Sequence, residues 1–478
     1  MLRRSGKKPL MRNRLIQINL VMTVFVFIYS YWLTTESTWR PDHITRSDLG
    51  SAFYFWSQAR SLVRGQLSVQ TPPQWWIECF TIGEKCYGYF GVTPSILRIP
   101  AVAIFRDSVV GLVPLFVAIA ITLAFWAAMD LVRLVIVNYQ TRQESVSQNL
   151  LIRWLVVTGL LLGPGSVLIF TAKARVYEEA VIWCVAFMVL TLNFIYRWSK
   201  NHSDRLLGAA LLTGTLSALS RPSAIPALVV LGFAVLFIAW RTGRISTKIL
   251  GAALMVIPAG LYVFIFVSKF GSLSFPWKNY SPYIVSLKGN FNEDSFRQVI
   301  ENNNGGTVGL RYIPTTLANY FRFDSISFNL GSPWVTLKSI FASDLIILPP
   351  VNANQIWGSR IPSLTNTMPI PLLFTAIAII SQLRLILKRK LKGGDWMPAF
   401  MLLAGLAGGV PLIMYYALAG RYLGDLYPLL TVGTAFALPT VLVYSQKDKW
   451  WSRAIFPVVA LIAVASSFIT YQIQSVVF

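Results

Sequence analysis

Acidic residues and arginines able to do chemistry lie in four short motifs of this 478-residue chain. Asp48 opens the stretch SDLGSAFYFWSQARSLVRGQ, and Glu178 and Glu179 are adjacent in YEEA. Arg221 lies in LSRPSAIP, and Arg421 lies in AGRYLGDLYP. A carboxylate accepts a proton from a hydroxyl nucleophile, and arginine binds phosphate through paired N–H groups. These residue types suit a reaction at a phosphate-bearing group.

Each motif also has a simpler structural interpretation. Asp48, or Ser47 before it, suits the N-cap of a helix. Glu178 and Glu179 suit the first turn of a helix, where the macrodipole favours acids. Arginines near a membrane commonly extend their side chains to the surface. Asp42 in RPDH is a rival of Asp48 for the role of base. The order of the motifs and the side of the membrane they occupy must therefore decide their meaning.

The composition requires that these motifs be positioned by membrane helices. The chain is 55% hydrophobic and 13% charged, with a mean hydropathy of +0.57, and a soluble domain has about 25% charged residues. We expect an all-α polytopic membrane protein, with residues 1–478 forming one transmembrane domain. Runs long enough to cross a bilayer lie at about 15–34, 108–129, 150–170, 180–196, 206–220, 223–240, 249–268, 368–384, 396–416, 426–444 and 454–474.

Charge placement predicts the orientation. The chain has 42 Lys and Arg residues against 19 Asp and Glu. With the N-terminus MLRRSGKKPLMRNR in the cytoplasm, the short inner loops carry most of the basic excess, as the positive-inside rule requires. The basicity is thus explained by membrane topology, and binding of nucleic acid is not expected. We predict a multi-pass protein of the cell membrane whose uncleaved first helix follows a cytoplasmic N-terminus.

Two long segments, 35–95 and 269–366, then lie outside the cytoplasm. After Asp48 the first segment has an apolar stripe that predicts a helix in the membrane interface, formed by Phe55, Trp56, Ala59, Leu62 and Val63. YGYFGVTPSILRIP, with Tyr89 and Arg98, predicts a bend into an apolar helix. Pro222 breaks the long apolar run 206–240, which predicts a tight hairpin with Arg221 at its outer tip. Cys79 and Cys86 are close enough in the chain to pair there.

Several classes of chemistry are excluded by missing motifs. The sequence has no Walker loop, no HExxH and no dinucleotide fingerprint. Its two histidines are too few for a histidine-built metal site. We predict no dedicated metal site. The acidic residues would allow only the binding of a divalent cation. A transferase that works outside the cytoplasm lacks nucleotide-activated sugars, so its donor must be delivered by the membrane, as a polyprenyl-phosphate sugar is.

In order and sidedness, these motifs resemble those of the GT-C superfamily of polytopic glycosyltransferases. That family includes protein O-mannosyltransferases, oligosaccharyltransferase catalytic subunits and aminoarabinose transferases. The resemblance extends over most of the chain: a basic inner N-terminus, one span, a long outer loop with an acid before an interfacial helix, and acids in the second outer loop. YGYFGVTPSILRIP is similar to the stretch before the family's second span. LSRPSAIP and GRYLGDLYP resemble arginine motifs of bacterial members.

The resemblance implies an inverting transfer of a hexose or pentose from a polyprenyl-phosphate donor to an extracytoplasmic acceptor hydroxyl. Membrane lipids surround the enzyme, and the acceptor is a glycan, a lipid or a protein. Asp48 maps to the proposed catalytic base, and Glu178 and Glu179 map to an acidic site that supports the acceptor or an ion. The substrate-binding residues expected from the motifs are Arg221, Arg421, Arg175, Arg98, Tyr89 and Asp42.

Two other function classes fit parts of the sequence. A transporter or lipid flippase places ionisable residues or broken helices near mid-membrane and often has inverted repeats. The central parts of the predicted spans hold almost no charge, and no repeat is evident. A non-catalytic scaffold would use the outer loops for binding only. The first outer loop lacks the paired Asp-Glu of the mannosyltransferases. Convergence of the acids and arginines in one outer cavity would favour the transferase.

Overall fold

The computed structural model describes most of the chain as helix. The described residues are 7–40, 49–69, 78–105, 112–140, 147–242, 244–274, 280–282, 293–338, 345–358, 361–390, 393–446 and 450–477. Two predicted site residues, Asp42 and Asp48, lie outside them. The helices are α1 (Lys7–Thr34), α2 (Leu49–Val63), α3 (Thr93–Phe105), α4 (Val113–Gln140), α5 (Gln148–Leu162), α6 (Val176–Asn201), α7 (Asp204–Ser220), α8 (Ile225–Thr242), α9 (Ile245–Phe270), α10 (Glu293–Asn302), α11 (Ile313–Phe321), α12 (Leu364–Thr367), α13 (Pro369–Leu387), α14 (Met397–Ile413), α15 (Tyr427–Ser445) and α16 (Trp450–Val477).

A helix covers each predicted span. In the described part of the chain, nine helical stretches are long and apolar enough to cross a membrane. The remaining two predicted spans correspond to α7 and α14, which have 17 residues each. The all-α polytopic fold class is confirmed, whereas the count of eleven crossings and their orientation remain predictions.

The second span differs most from its predicted bounds of 108–129, because α4 continues to Gln140. Asp130 and Arg133 lie inside this helix. The Asp130 carboxylate accepts hydrogen bonds from Arg133 and Arg197, and from Asn193 Nδ2 at 2.9 Å. Pairing with one another removes most of the cost of burying these charges, so the helix extends past the point where hydropathy alone ends it.

The helices divide into a buried centre and a lipid-facing periphery. The apolar stretch of α6 is 94% buried, whereas those of α1, α9 and α16 are each 22% buried. Helices α4, α7 and α15 pack against α6 or its neighbours in the centre. Apolar side chains exposed on the outer helices, such as Leu461 of α16 and Val256 of α9, suit contact with lipid tails.

Both long loop segments lie at one end of the bundle, which we call the loop end. The short strands are β1 (Glu78–Ile82), β2 (Lys85–Tyr87), β3 (Tyr280–Pro282), β4 (Ile326–Phe328), β5 (Val335–Leu337), β6 (Trp357–Gly358) and β7 (Ala417–Leu418). The first segment contributes β1 and β2 and the second contributes β3, in one antiparallel sheet of order β2-β1-β3. In its register, Phe80 pairs with both Tyr87 and Tyr280. The parallel pair β6–β7 joins the second segment to the chain after α14.

Helix α2 forms as predicted but packs differently. Gly65, with φ of 72°, follows its last turn, and glycine adopts this backbone geometry without strain. The predicted stripe was expected to face lipid. Instead Phe55, Trp56 and Ala59 are buried within the protein, where α2 packs against α3 and α6. Val63 alone of this group is more than half exposed. Protein contact thus replaces most of the lipid contact that amphipathicity predicted.

The run 206–240 is split into two helices as predicted. The break is at Arg221, between α7 and α8, and a short 3₁₀ turn, Pro222–Ala224, leads into α8. Helix α9 packs against both α7 and α8. Cys86 in β2 is disulfide-bonded, and Cys184 in α6 is a buried free thiol.

Candidate functional site

Three predicted site residues lie together at the loop end. Glu178 is in the first turn of α6, Arg221 lies between α7 and α8, and Arg421 is in the 3₁₀ segment Gly420–Leu426. Both arginines lie against the Tyr422 ring. The ring centroid is 5.2 Å from the Arg221 guanidinium carbon and 5.0 Å from the Arg421 guanidinium carbon. Helix packing therefore brings together motifs that are far apart in the chain.

Arg221, which is half-buried, forms an ion pair with the buried Asp425. Its Nη1 donates to Oδ1 and Oδ2 of the carboxylate at 3.0 and 2.9 Å, and the Ser223 hydroxyl lies 3.5 Å from Oδ1. Burial by itself lowers the pKa of Arg221, but the neighbouring Asp425 and Tyr422 raise it by more, so the pKa lies above its ordinary value. Arg221 stays cationic, and Asp425 holds it in place.

Glu178 and Arg421 form a looser pair. Glu178 Oε1 lies 3.7 Å from Arg421 Nη1, which is too long for a hydrogen bond. The Glu178 side chain is 1% exposed, and neither of its oxygens accepts a hydrogen bond. Arg421 Nε also lacks a hydrogen-bond partner. A buried carboxylate without hydrogen bonds costs free energy, so this pair has unused capacity for a third group.

Glu179 has the opposite environment, in which both carboxylate oxygens are bonded. Arg98 of α3 donates to Oε1 and, at 2.8 Å, to Oε2, while Trp183 Nε1 donates to Oε1 at 3.3 Å. The Arg98 guanidinium lies 4.4 Å from the Phe116 ring centroid and 5.8 Å from that of Phe55. Arg98 and Glu179 were both predicted to meet substrate, but the structure pairs them with each other at the junction of four helices.

The two adjacent acids diverge because successive helical residues point about 100° apart. Glu178 faces the 3₁₀ segment that carries Arg421, whereas Glu179 faces α3 and Arg98. Bidentate pairing fixes Glu179 and with it the rotation of the first turn of α6. The predicted acidic site therefore contains one anchored carboxylate and one unbonded carboxylate.

Tyr89 lies near the arginines through an aromatic chain. Its ring stacks on Phe90 at 4.2 Å between centroids, and Phe90 meets Tyr177 edge-on at 5.3 Å. The Tyr177 centroid is 4.5 Å from the Arg421 guanidinium carbon. Aromatic faces attract a guanidinium and hold its plane. The predicted Tyr89 contact with the site is thus made through Phe90 and Tyr177.

The other predicted residues contribute less to the described geometry. Arg175 is half-buried and occupies the N-cap of α6, with no capping hydrogen bond from its side chain. Asp42 and Asp48 lie outside the described residues, and α2 begins at Leu49, directly after Asp48. The predicted role of Asp48 as base accordingly remains a prediction.

Sequence reasoning missed three residues of this region. Tyr177 and Tyr422 hold the Arg421 guanidinium from two sides, and each stands next to a predicted residue in its motif. Lys269 lies in the last turn of α9 and is buried, although a lysine at the end of an apolar helix normally extends to the surface. Nothing in the sequence around Lys269 signals this burial.

The described residues hold no group of three His, Cys, Asp or Glu that could bind a metal ion. Glu178 alone combines burial with two oxygens free of hydrogen bonds. Hard divalent cations such as Mg²⁺ prefer carboxylate oxygens and keep several waters. Glu178 is therefore the described residue that fits such an ion.

Comparison with solved structures identifies the fold. The chain is similar to the Archaeoglobus fulgidus oligosaccharyltransferase in its apo form, with a TM-score of 0.52 and 16% identity over 96% of this chain. It is similar also to the same organism's oligosaccharyltransferase AglB in complex with an inhibitory peptide and a dolichol-phosphate, with a TM-score of 0.51 and 16% identity. This chain covers 56% of the length of each.

No family model matches the chain, and no curated protein matches it in sequence. The structural likeness nevertheless extends over almost all of this chain, with the acids and arginines gathered at one end of its helix bundle. The chain therefore has the fold of these oligosaccharyltransferases, which are among the proteins that the order of its motifs resembles.

Proposed function

We propose that this protein is a membrane glycosyltransferase that moves a sugar from a polyprenyl-phosphate donor to an acceptor on the extracytoplasmic side. The observation that carries the proposal is the buried Glu178 carboxylate, which has no hydrogen bond and lies 3.7 Å from Arg421. A buried carboxylate without hydrogen bonds is costly, and in a native structure it calls for an explanation such as a catalytic role. Arg421 lies against the same Tyr422 ring as a second cation, Arg221, and two cations there suit an anionic donor.

The proposed chemistry uses few groups. A carboxylate, Asp48, takes the proton of the acceptor hydroxyl as the oxygen attacks the anomeric carbon, which inverts its configuration. The C–O bond to phosphate breaks through a transition state of oxocarbenium character. Arg421 and Arg221 stabilise the negative charge that returns to the departing polyprenyl phosphate. Glu178 orients the acceptor or binds an ion beside it.

A neighbour's ligands support the class of donor. The AglB structure contains a dolichol-phosphate and an inhibitory peptide, that is, a polyprenyl-type phosphate and a peptide in the same fold. For this chain we propose a polyprenyl-phosphate-linked sugar as donor, and a glycan, lipid or protein as acceptor. A divalent cation bound by Glu178 would supply positive charge near the phosphate.

A transporter or lipid flippase is the second candidate, and one observation favours it. Asp130 lies inside α4 and pairs with Arg133 and Arg197, and ionisable residues inside membrane helices are often functional. These three groups nevertheless bond to one another and to Asn193, which suits a static network. Vesicles that move lipid-linked sugar without forming a glycosylated product would favour transport.

The decisive experiment measures transfer from a defined polyprenyl-phosphate sugar by purified protein, with and without Mg²⁺. We expect Asp48→Asn and Glu178→Gln each to reduce kcat at least about a hundredfold, the usual scale for removing an acid-base group or a transition-state contact. Loss of Mg²⁺ dependence in Glu178→Gln would identify that carboxylate as an ion ligand.

Two matched changes serve as controls. Ser47→Ala tests whether capping of α2 explains the loss, since it alters the cap and leaves Asp48 in place. Asp204→Asn removes an acid from the first turn of α7, at the opposite end of the bundle, and should leave transfer unchanged. Full activity of Asp48→Asn and Glu178→Gln in folded protein would refute the proposed roles, and equal losses in Ser47→Ala and Asp48→Asn would assign Asp48 to capping.

A further inference from the structure

We propose that Lys269 is a positioning residue: it holds the segment 88–92, and with it Tyr89, in the place from which the aromatic chain orients Arg421. The proposal rests on the proposed function, since it concerns the phosphate-binding side of that same site. It assigns a role to a lysine outside the acid and arginine motifs.

The bonding of Lys269 is unusual for a lysine. Its side chain is 6% exposed in the last turn of α9, and Nζ donates to the Gly88 carbonyl oxygen at 3.1 Å and to the Phe90 carbonyl oxygen at 2.9 Å. Among the described residues, no carboxylate forms an ion pair with it. Burying an ammonium group is costly unless it is hydrogen-bonded. Here its hydrogen bonds satisfy two backbone carbonyl oxygens of the segment 88–92.

The same segment is confined on two other sides. A Cβ on Gly91 would lie 2.0 Å from the Leu219 carbonyl oxygen, and one on Gly88 would lie 2.1 Å from the Tyr54 hydroxyl. The segment therefore touches the backbone at the end of α7 and the side chain of α2, with Lys269 of α9 as the third support. Three helices thus determine where Tyr89 and Phe90 lie.

The position of this segment is transmitted to Arg421. Phe90 stacks on Tyr89 and meets Tyr177, and the Tyr177 face lies 4.5 Å from the Arg421 guanidinium carbon. Tyr89 also interacts electrostatically with Arg421. Releasing the two carbonyls would let the rings shift, and a shift of the Tyr177 face turns the guanidinium plane away from a bidentate contact with phosphate.

The cavity beside Lys269 does not offer a competing explanation. It is lined by Tyr89, Tyr262 and Phe266 among others, and its volume is only about 10 Å³. That is about the room for a single water molecule, so a phosphate does not fit next to the ammonium. Lys269 acts through the segment that it holds and does not contact the donor.

The test is a double-mutant cycle on binding of a polyprenyl phosphate to purified protein in nanodiscs, with transfer measured in parallel. We expect Lys269→Met to weaken binding about tenfold and Lys269→Arg, which keeps a donor cation, to restore most of it. In a Phe90→Ala background, Lys269→Met should cause little further loss, because the ring that links the segment to Tyr177 is absent. Lys248→Met, at the other end of α9 over Trp240, is the matched control and should bind like wild type.

Specific outcomes overturn the proposal. Wild-type affinity in Lys269→Met, or an equal loss with and without the Phe90 ring, excludes positioning through this segment while leaving the proposed function intact. Wild-type protein that neither binds polyprenyl phosphate nor transfers sugar refutes the proposed function and this inference together. If Lys269→Met does not fold, Lys269→Gln, which keeps two N–H donors without the charge, enters the same cycle.

Discussion

At the scale of single residues, Glu178 and Glu179 differ in what surrounds them. Glu179 accepts hydrogen bonds from Arg98 and Trp183, whereas Glu178 accepts none. A buried carboxylate without hydrogen bonds lowers the stability of the protein, and such a loss of stability is typical of functional groups. The bonded neighbour is the structural one, because removing its partner would leave a buried charge unpaired.

Stability measurements should separate the two acids. Arg98→Met or Glu179→Leu alone should lower the free energy of unfolding by about 3–5 kcal/mol, since each leaves a buried charge without its partner. The double variant should recover most of that loss, because both charges are gone. Glu178→Gln should lower the thermal midpoint by less than Glu179→Leu, since it breaks no hydrogen bond and only a 3.7 Å ion pair with Arg421.

Thermal unfolding in detergent, followed by intrinsic fluorescence, measures these midpoints. A Glu178→Gln protein that unfolds as early as Glu179→Leu would contradict the division into one anchored and one functional acid. If the double variant recovered no stability, the Arg98–Glu179 pair would contribute more to folding than the mutual neutralisation of its two charges.

At the scale of elements, the loop end depends on close backbone contact between α3, α7 and the segment 88–92. Thr93 Oγ1 donates to the Leu216 carbonyl oxygen at 2.7 Å. The Gly91 backbone lies directly against the last turn of α7. Because Arg221 follows that turn, the distance between the segment and α7 also determines how near Tyr89 lies to the arginines.

Gly91→Ala should disturb this junction. Its Cβ would lie 2.0 Å from the Leu219 carbonyl oxygen and 2.4 Å from that of Ser220, so backbone must move, at a cost of about 1–3 kcal/mol. We expect a lower thermal midpoint and weaker transfer. Gly208→Ala in α7 is the matched control, because a Cβ there meets nothing within 4 Å, and alanine should stabilise the helix by about 0.5–1 kcal/mol.

Equal midpoints and equal transfer rates in the two alanine variants would show that the junction tolerates displacement. A fall in transfer without a fall in the midpoint for Gly91→Ala would place the effect at the site. The reverse result would restrict Gly91 to a packing role.

At the scale of the whole molecule, one antiparallel sheet joins the two long segments, so they occupy the same side of the membrane. The positive-inside rule predicts that this side lies outside the cytoplasm. Leu330, in the second segment, is fully exposed. Lys390 follows the last turn of α13 and is exposed at the end of the bundle opposite the loop end. These two positions therefore report on opposite faces.

In intact cells, a membrane-impermeant maleimide should label Leu330→Cys, introduced into a variant that lacks Cys184. Lys390→Cys should be labelled only after permeabilisation. Cys79 and Cys86 are retained in both variants, because Cys86 is disulfide-bonded. The opposite pattern would invert the predicted orientation and place the acids and arginines in the cytoplasm.

Sequence alone determined the features that depend on local composition. Hydropathy placed the long helices, because a run of apolar residues must cross or be buried whatever it packs against. Pro222 marked the break between α7 and α8, and Gly65 marked the end of α2, because backbone geometry is a local property. Motif order predicted a resemblance to polytopic glycosyltransferases, and the chain shares its fold with a solved oligosaccharyltransferase.

Only the tertiary structure decided how the charged groups pair. Arg221 meets Asp425 and Arg98 meets Glu179 across 204 and 81 positions of the chain, and such partners depend on helix rotation and crossing. Hydropathy shows how apolar one face of a helix is. It does not show which neighbouring helix that face packs against. For the same reason the stripe of α2 faced protein where lipid was expected, and Lys269 gave no signal until α9 was placed beside segment 88–92.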